Sequence, residues 1–98
     1  MGQVIRIAVK GKEYPCRITM GAMRRFRQMT GRDINTMKET ELDDILSFMY
    51  CCVVSTCNAD DVAFDMDYDL FCDNLEPDSF AAFSAAQQAD EGKRKKKA

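Results

Sequence analysis

The sequence predicts an α+β fold, in which an N-terminal two-stranded β-hairpin packs against a mainly helical domain of about four helices. Two observations lead to this prediction. Apolar residues alternate with other residues on both sides of Gly11, which is the pattern of two half-buried strands joined by a turn. After Thr19 the spacing of the apolar residues becomes helical, with interruptions at Gly31, Asn58 and Pro77. Because a lone hairpin is marginally stable in water, we expect the helices to cover its apolar face.

The hairpin is expected to span about residues 3–18, with Lys10-Gly11-Lys12 as its turn. Gly11 adopts a positive φ at little cost, as tight hairpin turns require. Pro15 lacks an N–H, so we expect the second strand at a sheet edge or with this missing donor directed outward, and Pro15 itself to face water. The apolar face of the hairpin is predicted to consist of Ile5, Ile7, Val9, Tyr14, Cys16 and Ile18.

The first helix is predicted at about residues 20–30. Thr19 is a suitable N-cap, and Gly31 stands where a residue in the left-handed conformation commonly ends a helix. The inward stripe of this helix is predicted to consist of Met20, Met23, Phe26 and either Met29 or Thr30.

The second helix is predicted at about residues 40–57. Thr40-Glu41-Leu42-Asp43 resembles a capping box with Asp in place of Glu. Leu42, Ile45, Leu46, Met49, Val53 and Thr56 repeat at helical spacing, and the flanks of this stripe are apolar too. We therefore expect this helix to be the central and most buried one.

Two further helices are predicted at about residues 68–75 and 77–90. Pro77 is favoured in the first turn of a helix and marks the start of the last one. The inward residues of the shorter helix are predicted to be Leu70, Phe71 and Leu75, and the last helix carries Phe80 and Phe83 among alanines.

The 98 residues are predicted to form one globular domain over residues 1–91 and a basic disordered tail over residues 92–98. Residues 1–38 carry nine Lys or Arg and two acids, residues 39–91 carry fourteen acids and no base, and the tail carries five bases. Either the basic and acidic faces neutralise each other within one domain, or they form a bipolar surface that associates with further copies or with a charged partner.

The sequence contains no pattern of a catalytic centre. It has no histidine, phosphate-binding loop or nucleophile motif, so we expect a protein that is not an enzyme and has no catalytic residue and no cofactor. Five cysteines without a secretory segment indicate reduced thiols in a cytosol. The sequence lacks the Cys-x-x-Cys spacing that is typical of structural zinc sites, so we expect no zinc site. No apolar run approaches the ~20 residues of a membrane span, and we expect no membrane association.

One acidic segment matches a calcium motif in part. When Asp65 is counted as position one, five acids occupy liganding positions of an EF-hand loop, namely Asp65, Asp67, Asp69, Asp73 and Glu76. Position six requires a glycine for a sharp turn but is Leu70, and Pro77 would interrupt the exiting helix. We therefore interpret these acids as the cap and surface of the short helix and predict no metal ligands.

Two groups of residues are candidates for partner contact. Arg24, Arg25 and Arg27 form a basic face that suits an acidic protein or phosphate groups. Phe80 and Phe83 would form an apolar contact patch if the last helix is incompletely covered in the monomer. Nucleic acid is not the expected partner, because the acidic half of the chain would repel it.

The order of these motifs resembles the tail assembly chaperones of long-tailed bacteriophages and prophages. The resemblance covers residues 4–90. It includes the Gly-Lys-Glu-Tyr turn, Met-Gly-Ala-Met-Arg-Arg-Phe, Thr-Gly-Arg-Asp-Ile, the acidic cap before a long apolar helix, and Leu-Glu-Pro-Asp-Ser-Phe at the last helix. The Cys51-Cys52 pair with Cys57 and the strand-like alternation from Phe64 to Leu70 depart from this pattern.

The resemblance implies a protein that binds the tape measure protein in the host bacterial cytoplasm, keeps it soluble, helps recruit tail tube subunits and is absent from the mature virion. It also implies a longer minor product made by ribosomal frameshifting, for which Lys95-Lys96-Lys97 is a suitable site. The alternative function is a small phage adaptor or nucleic-acid-binding module that uses the basic N-terminal helix. Self-association is compatible with both.

Overall fold

The computed structural model describes residues 5–38 and 41–85 and confirms the α+β fold, with an N-terminal antiparallel hairpin packed against four helices. The elements are β1 (Ile5–Val9), β2 (Lys12–Cys16), α1 (Met20–Thr30), a short 3-10 helix (Ile34–Thr36), α2 (Leu42–Ala59) and α3 (Tyr68–Asn74). A fourth helix, α4, follows at 77–85, where the described residues end. The predicted bounds of α1 are confirmed, whereas α2 begins and ends two residues later than predicted. The predicted helical residues 86–90 and the tail 92–98 lie outside the described residues.

The hairpin turn consists of Lys10 and Gly11, whose φ angles are both positive, at 56° and 75°. Such a turn has a twist that matches that of the flanking strands. The two residues that flank the turn form a hydrogen-bonded pair. Hydrogen-bonded and non-hydrogen-bonded pairs alternate along the two strands from this point, so Arg6 and Pro15 form a non-hydrogen-bonded pair. The missing N–H of Pro15 is therefore directed to the outer edge of β2, as expected.

The chain between α3 and α4 lies along the other edge of the sheet, beside β1. Val9 forms an isolated antiparallel bridge with Leu75, and the N–H of Glu76 donates to the carbonyl oxygen of Ala8 at 3.2 Å. The N–H of Ala8 donates to Oγ of Ser79 at 2.8 Å. These bonds satisfy backbone groups that an uncovered edge strand would leave unpaired.

α2 is the central helix, as predicted. Eleven of its eighteen residues are buried, so a narrow strip of the helix reaches the solvent. All five cysteines are free thiols, and Cys72 alone among them is not fully covered. No helix in the described ranges has the length and apolar character needed to cross a bilayer. The buried apolar core consists of Ile7, Val9, Tyr14, Cys16, Ala22, Phe26, Ile45, Phe48, Met49, Cys51, Cys52, Val53, Cys57, Phe71 and Phe83.

α1 packs against α2 through small residues. A Cβ added to Gly21 would lie 2.5 Å from Oγ of Ser55, so only glycine fits this contact without a shift. Thr19 Oγ1 lies 2.8 Å from Ser55 Oγ and also accepts a backbone N–H of the first turn of α1, which confirms Thr19 as the N-cap. Gly31 ends the helix with a φ of 76°, as predicted.

The inward stripe predicted for α1 is partly wrong. Met20 and Met29 are 79% and 39% exposed, whereas Ala22 and Phe26 are fully buried. Gly21 faces α2 at the close contact with Ser55, and with α1 in this orientation Ala22 faces the core and Met20 faces the solvent.

Three other placements differ from the prediction. Leu70 is 39% exposed, and Phe71 is the residue of α3 that is fully buried. Leu42 is exposed because it is the first residue of α2. Pro15 is buried, as are its two neighbours in β2, so this end of the strand is covered on both faces and not on one.

The capping box predicted before α2 depends on Thr40, and that part of the prediction lies outside the described residues. The N-cap is Glu41, whose side chain makes no capping hydrogen bond. Asp44 in the first turn of α2 holds the segment before the helix, because it pairs with Arg32 and accepts the N–H of Lys38 at 3.0 Å. These two partners lower the pKa of Asp44, the ion pair with Arg32 more than the backbone bond.

Candidate partner-binding surface

Partner contact was predicted at Phe83 only if the last helix is incompletely covered in the monomer, and Phe83 does not meet this condition. It is only 3% exposed, and its ring packs on Phe48 with 6.2 Å between the ring centroids. Phe80 is partly buried and packs against the same core. α4 is therefore covered at Phe83, and this ring stabilises the domain from inside.

The arginines of α1 lie at the surface, in contrast to the phenylalanines of α4. Arg24 and Arg27 are exposed, Arg25 is partly buried, and α1 contains no acidic residue. Arg27 pairs with Asp33 at 2.6 Å, but both side chains are more than half exposed and water screens the pair. We call the outward-facing residues of α1 and the grooves on its two sides the α1 surface.

The first groove lies between α1 and the short 3-10 helix, and we call it the Met20 groove. Its volume is about 470 Å³. Its apolar lining includes the flexible side chains of two methionines, which adapt to apolar groups of different shape. The lining residues are Met20, Met23, Arg24, Arg27, Gln28, Asp33, Ile34 and Asn35.

The second groove lies between α1 and α2, and we call it the Arg25 groove. Its volume is about 300 Å³, and it is lined by Arg25, Gln28, Met29, Tyr50, Cys51 and Val54. The Nε atom of Arg25 is buried and has no hydrogen-bond partner among the residues that the structure describes. Most buried donors in proteins are paired, so this atom calls for an explanation.

Apart from Arg25, the lining of the Arg25 groove is uncharged at neutral pH. Burial raises the pKa of the Cys51 thiol to about 11, although the nearby Arg25 guanidinium opposes the shift. Burial also raises the pKa of Tyr50, whose hydroxyl donates to the carbonyl oxygen of Met66 at 2.7 Å. The groove thus combines one cation with apolar and neutral side chains.

A second charged region, the acidic surface, extends over residues 60–78. Its exposed carboxylates are Asp60, Asp61, Asp65, Asp67, Asp69, Asp73, Glu76 and Asp78. Of these carboxylates only Asp60 forms an ion pair with a described residue, through two bonds of 3.0 Å to Arg17. Leu70 is a large apolar side chain that is exposed among these acids.

The acidic surface does not have the shape of an EF-hand loop. Residues 68–74 are helical, so Leu70 at position six lies inside α3 and not at a sharp turn. Asp67 caps this helix by accepting the N–H of Leu70 at 2.9 Å, which agrees with the interpretation of the acids as cap and surface. No three His, Cys, Asp or Glu side chains in residues 5–38 and 41–85 are placed to hold a metal ion.

The sequence did not predict that Met29, Tyr50, Cys51 and Val54 share a groove with Arg25. The available signal was Gly21-Ala22, since two small residues in one turn indicate the side on which a helix approaches its neighbour closely.

Comparison of the chain with protein-family models, curated proteins and solved structures found no match.

Proposed function

We propose that this protein is a non-enzymatic tail assembly chaperone of a bacteriophage or prophage. It binds the tape measure protein reversibly in the host bacterial cytoplasm, keeps it soluble, helps recruit tail tube subunits and is absent from the mature virion. The observation that carries this proposal is the α1 surface, where arginines stand beside two partly apolar grooves. The order of motifs over residues 4–90 supports the same proposal.

The α1 surface has the properties that reversible binding of a long protein requires. Its methionines, Met20 and Met29, are exposed and adaptable, so they can contact several related apolar segments of one partner. Its arginines favour segments that also carry acids and increase the rate of encounter with them. A chaperone with such a surface would cover apolar segments of its partner until assembly displaces it.

Co-expression tests the proposal directly. The tape measure protein of the same phage or prophage genome is produced alone and together with this chain, and its soluble fraction and co-elution are measured. We expect it to be soluble and to co-elute only when the chain is present. The variant with Arg24→Gln, Arg25→Gln and Arg27→Gln should fold but leave the tape measure protein insoluble. Equal insolubility with and without the wild-type chain would contradict the proposal.

A second test uses the intact masses of all products of the native gene with its downstream DNA. A minor longer species that shares this N-terminus and diverges near residues 93–97 would support the chaperone proposal. If only the short species is produced, the frameshift hypothesis is wrong and the co-expression result alone decides.

The second candidate function, a phage adaptor or nucleic-acid-binding module, is favoured by one observation. Six cations of the N-terminal half form no ion pair with any described residue, namely Arg6, Lys10, Lys12, Arg24, Arg25 and Lys38. Cations of this kind bind phosphates with a strong dependence on salt. A gel-shift at low salt separates the two functions, because the chaperone proposal expects no retardation of DNA or RNA.

A further inference from the structure

We infer that the Arg25 groove binds an acidic amphipathic helix of the partner protein. A carboxylate of that helix bonds to Arg25, and a neighbouring apolar side chain of the helix lies between Met29 and Val54. This inference depends on the proposed function for the identity of the partner, whereas the chemistry of the occupant follows from the groove.

The first argument is the unpaired donor. Arg25 forms no ion pair with any described residue, and its buried Nε has no hydrogen-bond partner among them. Because Nε is closed off from the solvent, a ligand in the groove would bond to the terminal N–H groups of the guanidinium. A planar guanidinium is best matched by a carboxylate, which accepts two parallel hydrogen bonds from it. No acidic residue in the described part of the chain lines the groove, so the inferred carboxylate comes from another segment.

The second argument is the size and lining of the groove. An α-helix is about 10 Å across, so a groove of about 300 Å³ accepts side chains from one face of a helix and not the whole helix. Met29 and Val54 provide apolar contact, and the neutral Cys51 thiol adds no charge. An acid and an apolar residue on one helix face, three or four positions apart, match this lining.

The third argument excludes basic segments as occupants of the groove. Arg24 and Arg25 form no ion pair with any described residue, and α1 carries no acid, so a basic segment would be repelled. The tail at residues 93–97 consists of Lys and Arg and is unsuitable for the same reason. α3 of a second copy, with Leu70 among acids, has a similar chemistry to the inferred helix, and the experiment therefore tests for it.

The experiment is a titration of the full chain, labelled with ¹⁵N, followed by the Nε–Hε signal of Arg25. The probe is a helical peptide of about 20 residues with Glu and Leu at helical spacing. Its matched control has Lys in place of Glu. We expect the Glu–Leu peptide to shift the Arg25 signal and the Lys–Leu peptide to leave it unchanged. Equal shifts with both peptides, or none, would overturn the inference.

Three variants separate a specific contact from overall charge. Arg25→Gln removes the charge and the donor, Arg25→Lys keeps the charge without the planar guanidinium, and Arg6→Gln removes an equal charge from β1. We expect about a tenfold or greater loss of peptide affinity for both Arg25 variants and no change for Arg6→Gln. Equal losses for Arg25→Gln and Arg6→Gln would show an effect of net charge alone and would overturn the inference.

Two further outcomes separate this inference from the proposed function. If the tape measure protein binds wild type and Arg25→Gln equally, the inference is wrong and the chaperone proposal stands. If the tape measure protein does not bind but the Glu–Leu peptide shifts Arg25, the inference stands and the chaperone proposal is wrong. If protein concentration alone shifts the Arg25 signal and Leu70→Gln abolishes this shift, the occupant is a second copy, which overturns the inference.

Discussion

The α1 surface and the acidic surface both carry strong charge, but they differ in what accompanies the charge. On the α1 surface, cations border partly apolar grooves, and one of their donors is buried without a partner in residues 5–38 and 41–85. On the acidic surface the carboxylates are exposed to water, and Leu70 is the large apolar side chain exposed among them. Exposed charge mainly increases the rate of encounter, whereas apolar contact and buried polar bonds keep a complex together. This difference is the reason why we propose the α1 surface, and not the acidic surface, as the site of partner binding.

The largest effect is expected from Phe83→Ala, which tests whether α4 contributes to the core or to a contact surface. Loss of the buried ring leaves a cavity beside Phe48 and should lower the free energy of unfolding by about 3–5 kcal/mol, as measured by urea denaturation. Phe80→Ala should cost less, because Phe80 is only partly buried. If Phe83→Ala kept full stability and abolished tape-measure binding, the binding surface would have to include α4.

Gly21→Ala tests the close contact between α1 and α2. The added Cβ would lie 2.5 Å from Ser55 Oγ, so α1 or Ser55 must move. Overpacking lowers the free energy of unfolding by about 1–3 kcal/mol, and the higher helix propensity of alanine offsets about 1 kcal/mol of this loss. We expect a net loss of stability in thermal unfolding, and a partial recovery when Ser55→Ala removes the obstructing oxygen. A stabilised Gly21→Ala variant would contradict the close approach of α1 to α2.

Asp44→Asn tests the charge cluster at the start of α2. Arg32 and the N–H of Lys38 lower the folded pKa of Asp44 below its unfolded value of about 4. The stabilisation is therefore present at neutral pH and is lost as the pH falls through the lowered pKa. At pH 7 the variant should lose about 1–2 kcal/mol of unfolding free energy, and in strong acid it should match wild type. A difference that stays constant over the whole pH range would refute this role of the Asp44 carboxylate.

The smallest effect is expected from Leu70→Gln on the acidic surface. Leu70 is already well exposed, so its replacement should change the free energy of unfolding by less than about 0.5 kcal/mol. Binding of the tape measure protein, measured by co-purification, should not change. Loss of binding in this variant would assign the partner contact to the acidic surface.

Local features of the fold were predictable from the sequence because their causes lie within a few residues. Thr19 and Gly31 delimit α1, since an N-cap hydroxyl and a left-handed glycine act on adjacent backbone groups. The same holds for the turn at Gly11, where the chain needs a positive φ.

Features that depend on contacts between distant residues were not predictable in this way. Periodicity placed Met20 inward, but Gly21 faces α2 at the close contact with Ser55, and with α1 in this orientation Met20 faces the solvent. The acid that stabilises the start of α2 is Asp44, whose partner Arg32 lies twelve residues earlier in the chain. The candidate site shows the same limit: the arginines were evident in the sequence, but the groove around Arg25 exists only because α1 and α2 pack together.

The most direct test of the central claim is the affinity for the tape measure protein of two variants, each of which lacks one charge on one surface. Arg25→Gln changes the α1 surface and Asp69→Asn changes the acidic surface, and both are compared with wild type at the same ionic strength. We predict that Arg25→Gln weakens binding about tenfold or more and that Asp69→Asn leaves it unchanged. Unchanged binding by Arg25→Gln together with weakened binding by Asp69→Asn would contradict the assignment of the partner to α1.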